Sequence, residues 1–183
     1  TVRLRRRCIL VAASVIDGMP CACRREATLC TISNFFKEKM LNGLDLFTGI
    51  GGLSIALREW VRPIAYCEID PYCQAVLLTQ QSNGRIPTSP IWDDVLTFPA
   101  NGFAGAVDII YGGFPCQDIS IAGHGKGLEG ERSGLFFEIV RLAKEIKPKF
   151  IFLENVPAIT VRGGLQVVRE ITEMGYDCRW CVI

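Results

Sequence analysis

The sequence predicts an open α/β fold with a mostly parallel sheet, and three observations predict it. From residue 41 to residue 183, apolar runs short enough for buried strands alternate with longer segments of helical pattern. The run around residues 44–47 stops in a turn rich in glycine, Asp45-Leu46-Phe47-Thr48-Gly49-Ile50-Gly51-Gly52. Two later runs stop in the same way, at Gly112-Gly113-Phe114-Pro115-Cys116-Gln117 and at Glu154-Asn155-Val156. The carboxyl ends of neighbouring strands in such a sheet share one crevice, so these polar turns belong to one site.

The elements follow in order. Residues 44–47 read as a strand, and the glycine turn at 49–52 opens a helix over 53–60. Residues 64–67 form the next strand, ending at Glu68. Asp70 can accept from the free N–H groups of a helix that carries Pro71 at its first position and runs to about residue 80. Asn83-Gly84 and two prolines make 82–90 a loop, and a short third strand at 91–92 ends before Asp94-Val95. Residues 107–111 are the fourth strand, followed by a glycine-rich loop and a helix over 133–146 with Ser133 as its cap. A fifth strand at 150–153, a helix from about 165 to 174 and a last strand at 176–183 complete the pattern.

Composition narrows the classes. The 183 residues suffice for one domain with a real core, and 49% of them are apolar. The net charge of +1 is unevenly spread. Residues 1–40 hold eight Lys/Arg against three acids, which leaves a net charge of −4 for residues 41–183. The part that carries the motifs therefore lacks the cationic surplus that a grip on phosphate requires. No apolar stretch reaches the ~18 residues of a membrane span. The nine cysteines do not show zinc spacing, and His124 is the single histidine. They read as reduced thiols of a cytoplasmic protein, and no metal is expected. Arg3-Leu4-Arg5-Arg6-Arg7 followed by an apolar run to Ile16 mimics a secretory leader, but Asp17-Gly18 interrupts it and no cleavage pattern follows. Residues 1–39 are accordingly set apart from the fold, as an extension or upstream translation ahead of Met40.

The glycine turn lets a ligand approach the backbone at a helix N-terminus. A dinucleotide fingerprint would want a third glycine where Ser54 stands, which counts against NAD. Glu68, at the end of the second strand, can accept two ribose hydroxyls. The order and wording of these segments resemble the catalytic half of a DNA (cytosine-5)-methyltransferase of the bacterial or phage modification type. The resemblance implies a Rossmann-like sheet of the S-adenosylmethionine-dependent methyltransferase type, incomplete at its C-terminus. It implies S-adenosylmethionine held by Phe47, Gly49, Ile50, Gly51, Gly52, Glu68, Ile69, Asp94, Val95 and Pro115. Glu68 would take the ribose, Asp94 the adenine amino group, and Phe47 would flank the ring.

The chemistry implied by the resemblance uses Cys116 and Glu154. Cytosine C5 is a poor nucleophile until a thiolate adds at C6, which requires an activated cysteine and an acid near N3. Cys116, on a loop stiffened by Pro115, would be the nucleophile and Glu154 the acid. Gln117, Ser120, Arg132 and Asn155 would support the substrate and its closing loop, over a cytosine flipped out of double-stranded DNA. Residues 40–183 then form a partial catalytic domain without a target-recognition region, which is expected in a separate C-terminal half. A restriction enzyme could accompany such a protein. The alternatives are a non-catalytic remnant that at most binds S-adenosylmethionine, and a tRNA-directed cousin. Against the cousin, Gly113-Phe114-Pro115-Cys116-Gln117-Asp118-Ile119-Ser120 has the DNA form. The resemblance also implies that a missing helix leaves an apolar flank of the first strand uncovered.

Overall fold

A computed structural model describes residues 8–14, 40–115, 134–156, 159 and 163–182; for residues 8–14, 181 and 182 it describes the backbone alone. The described strands are β1 (Cys8–Ser14), β2 (Leu41–Leu46), β3 (Val61–Cys67), β4 (Ile91–Trp92), β5 (Ile109–Gly112), β6 (Phe150–Asn155) and β7 (Tyr176–Val182). The α-helices are α1 (Gly52–Leu57), α2 (Pro71–Ser82), α3 (Gly134–Ile146) and α4 (Gly164–Glu173). All seven strands join one sheet in the order β4-β3-β2-β5-β6-β1-β7. The pairs β4/β3, β3/β2, β2/β5 and β5/β6 are parallel. The expected architecture is therefore present, and its strands carry their C-terminal ends to one edge.

The expected elements recur with shifted ends. The first strand starts at Leu41, the second at Val61, and the fifth continues through Glu154 and Asn155. Helix α1 stops at Leu57, three residues short of the expected end, because residues 58–60 turn back into β3 and Trp60 accepts from Leu41 N. Helix α2 begins as expected: Asp70 accepts from Tyr72 N at 2.8 Å and Pro71 occupies the first turn.

One difference is larger. Residues 8–14 are not outside the fold; they form β1, which pairs antiparallel with both β6 and β7. The local pattern of an apolar run after arginines resembles a leader, whereas the strand is specified by two distant partners.

Two faces bury the sheet. On one, Leu44, Leu46, Ala65, Cys67, Ile110, Ile151 and Leu153 pack with the apolar stripe of α3 and with Val167 and Ile171 of α4. On the other, Leu41, Val61, Ile109, Tyr111 and Phe150 meet Leu53 and Leu57 of α1, while Tyr66 packs on Leu77 of α2. The expected uncovered flank of the first strand is absent from the described residues. Leu41, Leu44 and Leu46 are all at most 1% exposed, because β2 lies between β3 and β5 with α1 folded back over it. Among the described residues, no helix is long and apolar enough to cross a membrane.

Candidate active site

Sheet order fixes the site. From the central strand β2 the chain continues to β3 on one side, and β5 lies on the other, so the crevice opens where the direction of winding reverses. After β2, Phe47 turns with φ 53, a left-handed conformation rare for a side chain with a Cβ. Its ring packs against the main core. Thr48 then donates from Oγ1 to the carbonyls of Asp45 and Cys67, which pins the turn to two strands. Gly49 and Gly51 have φ 56 and 86, and a Cβ at Gly49 or Gly52 would meet nothing within 4 Å. The turn is thus an open backbone cradle, while the Gly51 Cβ position faces Leu77 at 3.1 Å and packs the turn onto α2.

Glu68 is 9% exposed and closes this cradle. Its carboxylate accepts from Gly49 N at 2.6 Å and from Asp70 N at 2.9 Å. One carboxylate therefore joins the glycine turn to the mouth of α2, and each oxygen still has a lone pair for a hydroxyl. Ile50 and Ile69 stand exposed beside it, 53% and 71%. Asp94 follows β4 and uses Oδ1 to accept from Leu96 N, which caps a short 3-10 turn at Val95–Thr97. Val95 is buried in the main core, and its carbonyl accepts from Arg141 Nη2 at 3.0 Å. Its side chain therefore serves packing, and Arg141 ties α3 to the Asp94 turn.

Across the sheet, β5 ends at Gly112, and Gly113 leads from it into the Pro115 loop. A Cβ at Gly112 would fall onto the Leu46 carbonyl, so only glycine lets β5 lie this close to β2. A Cβ at Gly113 would stand 2.8 Å from Glu154 Oε2, so the half-buried Glu154 carboxylate occupies the space that glycine leaves. Asn155, 6% exposed, donates from Nδ2 to the Phe114 carbonyl at 3.0 Å. The end of β6 is thereby fastened to the residue two before Cys116. Pro115 is exposed. Cys116, Gln117, Ser120 and Arg132 lie outside the described residues, as do His124 and Ser133.

Sequence reasoning missed a buried polar chain beneath the crevice. Ser54 Oγ donates to Asp45 Oδ2 at 2.5 Å and lies 2.7 Å from the Tyr111 hydroxyl. Either hydroxyl can be the donor between Ser54 and Tyr111. Burial pushes the Asp45 carboxyl up from 3.8 to about 7, against the Ser54 and Thr48 hydrogen bonds and reinforced by Glu68. The signal was present in Ser54 at the third position of α1, where a hydroxyl can face the strand below. The other described thiols fit a structural role. Cys67, Cys73 and Cys178 are unpaired, and burial pushes Cys67 up to about 12 and Cys178 up to about 11. Among the described residues, no group of three or more His, Cys, Asp or Glu could hold a metal ion.

A family model for C-5 cytosine-specific DNA methylases matches residues 41–183. The chain belongs to this family. Curated relatives of the methylase family include the type II methyltransferase M.CviJI of Paramecium bursaria Chlorella virus IL3A, 40% identical over 138 residues that cover 75% of this chain and 36% of the relative. The type II methyltransferase M.HhaI of Haemophilus parahaemolyticus is 41% identical over 150 residues, covering 77% of this chain and 43% of the relative. The chain therefore spans less than half the length of these two methylases. A solved structure described as a DNA modification methyltransferase encoded within an E. coli prophage matches with a TM-score of 0.56 and 29% identity, over 73% of this chain and 37% of that one. A Spodoptera frugiperda DNMT2 mutant matches at the same TM-score with 18% identity, over 73% of this chain and 41% of that one, which speaks to the fold alone.

Proposed function

We propose that this methylase-family chain carries the catalytic half of an enzyme that transfers a methyl group from S-adenosylmethionine to C5 of cytosine in double-stranded DNA. One observation carries the proposal. The cradle closed by Glu68 and the carboxylate of Glu154, beside the loop that enters Cys116, lie at the same edge of the sheet and are separated by two strands. A donor in the first would reach a base held at the second.

The residues fit the donor. The open glycine backbone, the buried Glu68 carboxylate and the Asp94 carboxylate suit a ligand with a ribose and an exocyclic amine, and Phe47, Ile50 and Ile69 offer apolar contact. When bound, S-adenosylmethionine supplies an electrophilic methyl group. The thiolate of Cys116 adds to C6 of a flipped cytosine, which breaks the ring's aromaticity and places electron density at C5. Glu154 holds a proton toward N3 and so stabilises the developing negative charge. Asn155 holds the Phe114 carbonyl, two residues before Cys116 in the chain. After methylation, loss of the C5 proton and departure of the thiolate restore the ring. Gln117, Ser120 and Arg132 complete the substrate side of this proposal.

The net charge of −4 over residues 41–183 favours a second component for target recognition, a C-terminal half supplied by another chain or by further sequence. Without it, the chain binds the donor but does not methylate DNA selectively. The test uses duplex DNA carrying 5-fluorocytosine, S-adenosylmethionine and this chain supplemented with the recognition half of a relative. Fluorine at C5 blocks the final elimination, so a stable protein–DNA adduct is expected. An adduct that persists in Cys116→Ala would overturn the assignment.

A further inference from the structure

Asp45 is a buried acid that the mechanism above does not use. It is 1% exposed, Oδ2 accepts from Ser54, and Oδ1 has no hydrogen-bond partner among the described residues. An acid left half-satisfied in a core is costly and calls for a physical explanation. Its place in the sheet offers one. Asp45 sits on β2, in register with Tyr66 of β3 on one side and Tyr111 of β5 on the other. A ligand whose ribose meets Glu68 beyond β3, and whose reactive end reaches the Pro115 loop beyond β5, must cross the end of β2. Asp45 lies one residue before the last residue of β2, so its backbone is ~3.3 Å of strand rise below the strand end that this path crosses, and its carboxylate is held by Ser54 of the helix that the glycine turn opens. Thr48, which donates to the Asp45 carbonyl, ties the backbone of Asp45 to the glycine turn.

We propose that Asp45 is the residue by which this crevice tells the cationic methyl donor from the neutral thioether it leaves behind. This rests on the crevice binding S-adenosylmethionine. The donor and its demethylated product share the same adenosine, amino and carboxylate groups and differ in the methyl and in the sulfonium charge. A positive charge over a buried carboxyl favours its ionised form, and a neutral sulfur does not. Donor binding therefore expels a proton from Asp45, while product binding leaves it in place. The cation binds more tightly as Asp45 ionises, and the product is released in preference.

The groups facing Asp45 do not supply this response. Ser54 on α1 and Thr48 in the turn do not titrate in water. Burial pushes the Tyr111 hydroxyl on β5 and the Tyr66 hydroxyl on β3 upward, and burial likewise raises Cys67 to about 12. Glu68 is the other carboxylate facing the site, and it touches both ligands through the ribose they share.

Calorimetry on the full chain tests the proposal, with S-adenosylmethionine and S-adenosylhomocysteine titrated near pH 7 in two buffers of different ionisation enthalpy. The wild type should release about half a proton with the donor and clearly less with the product. The donor-to-product affinity ratio should rise about tenfold between about pH 6 and about pH 8. Asp45→Asn should abolish the extra proton and flatten the ratio, with circular dichroism confirming its fold. Should that variant not fold, the wild-type comparison in two buffers decides alone. Equal proton release with both ligands, or an unaltered ratio in folded Asp45→Asn, overturns the role of Asp45 while leaving donor binding intact. Failure of both ligands to bind the wild type overturns the donor site itself, and this proposal with it.

Discussion

Glu68 offers the sharpest test of how the crevice is built, because its carboxylate already has work before any ligand arrives. It accepts from Gly49 N and Asp70 N at 2.6 and 2.9 Å, and so ties the glycine turn to the start of α2. Hydrogen bonds to a charged group contribute about 1.5–3 kcal/mol each. The Asp70 end lies at the surface, where water can replace the lost acceptor, so the pair together should be worth about 2–4 kcal/mol. Glu68→Ala should therefore lower the unfolding free energy by that amount without any ligand, read from urea denaturation. It should also weaken S-adenosylmethionine binding by a further ~1.5–3 kcal/mol, through loss of the proposed ribose contact. Glu68→Gln keeps the shape and one acceptor oxygen but turns an NH2 toward one of the N–H groups, so it should recover about half of the stability and little of the affinity. A stability change below ~0.5 kcal/mol in Glu68→Ala would refute the structural part, whatever happened to binding.

Three further outcomes are expected. Gly113→Ala should displace the Glu154 carboxylate, since a Cβ there lies 2.8 Å from Oε2; it should cost about 1–3 kcal/mol of stability and slow adduct formation on 5-fluorocytosine DNA, with donor affinity unchanged in calorimetry. Asp45 carries a folded-state value of about 7 against an ordinary 3.8, so the folded chain holds a proton that the unfolded chain has lost across that interval. The stability it lends is complete below about pH 4 and fades as pH rises through about 7, so Asp45→Asn should gain on the wild type by up to about 4 kcal/mol by about pH 8 in urea melts. Removal of residues 1–39 should strip β7 of its only strand partner among the described residues, giving a smaller denaturant m-value and rapid hydrogen exchange across residues 176–182.

The crevice was legible because its residues sit where the local pattern changes. Gly49, Gly51, Glu68, Asp94 and Glu154 each follow an apolar run, and a parallel sheet converts that one-dimensional rule into a shared edge. What could not be read was the use of the small residues between them. Gly112 and Gly113 look like a flexible turn in sequence, yet one is needed for the Leu46 carbonyl and the other for the Glu154 carboxylate. Those constraints come from strands 66 and 41 residues away in the chain, and local composition carries no trace of them. Ser54 and Tyr111 were hidden likewise, because their hydroxyls matter through Asp45, which reads as an ordinary strand acid until its burial is known.

The N-terminal strand shows the same principle at the scale of the sheet. Both β6 and β7 run antiparallel to β1, so they are parallel to each other and stand two strand spacings apart, about 9.5 Å. The chain between them forms α4, which packs Val167 and Ile171 on the main core and so fixes where β7 must begin. A gap one strand wide would leave the backbone groups of both facing edges without partners, which a buried sheet interior does not tolerate. Any extended apolar segment able to run antiparallel fits that gap, and Cys8–Ser14 does so. The strand is therefore specified less by its own residues than by the space that β6 and β7 leave between them. That is why arginines followed by an apolar run could look like a leader when met alone.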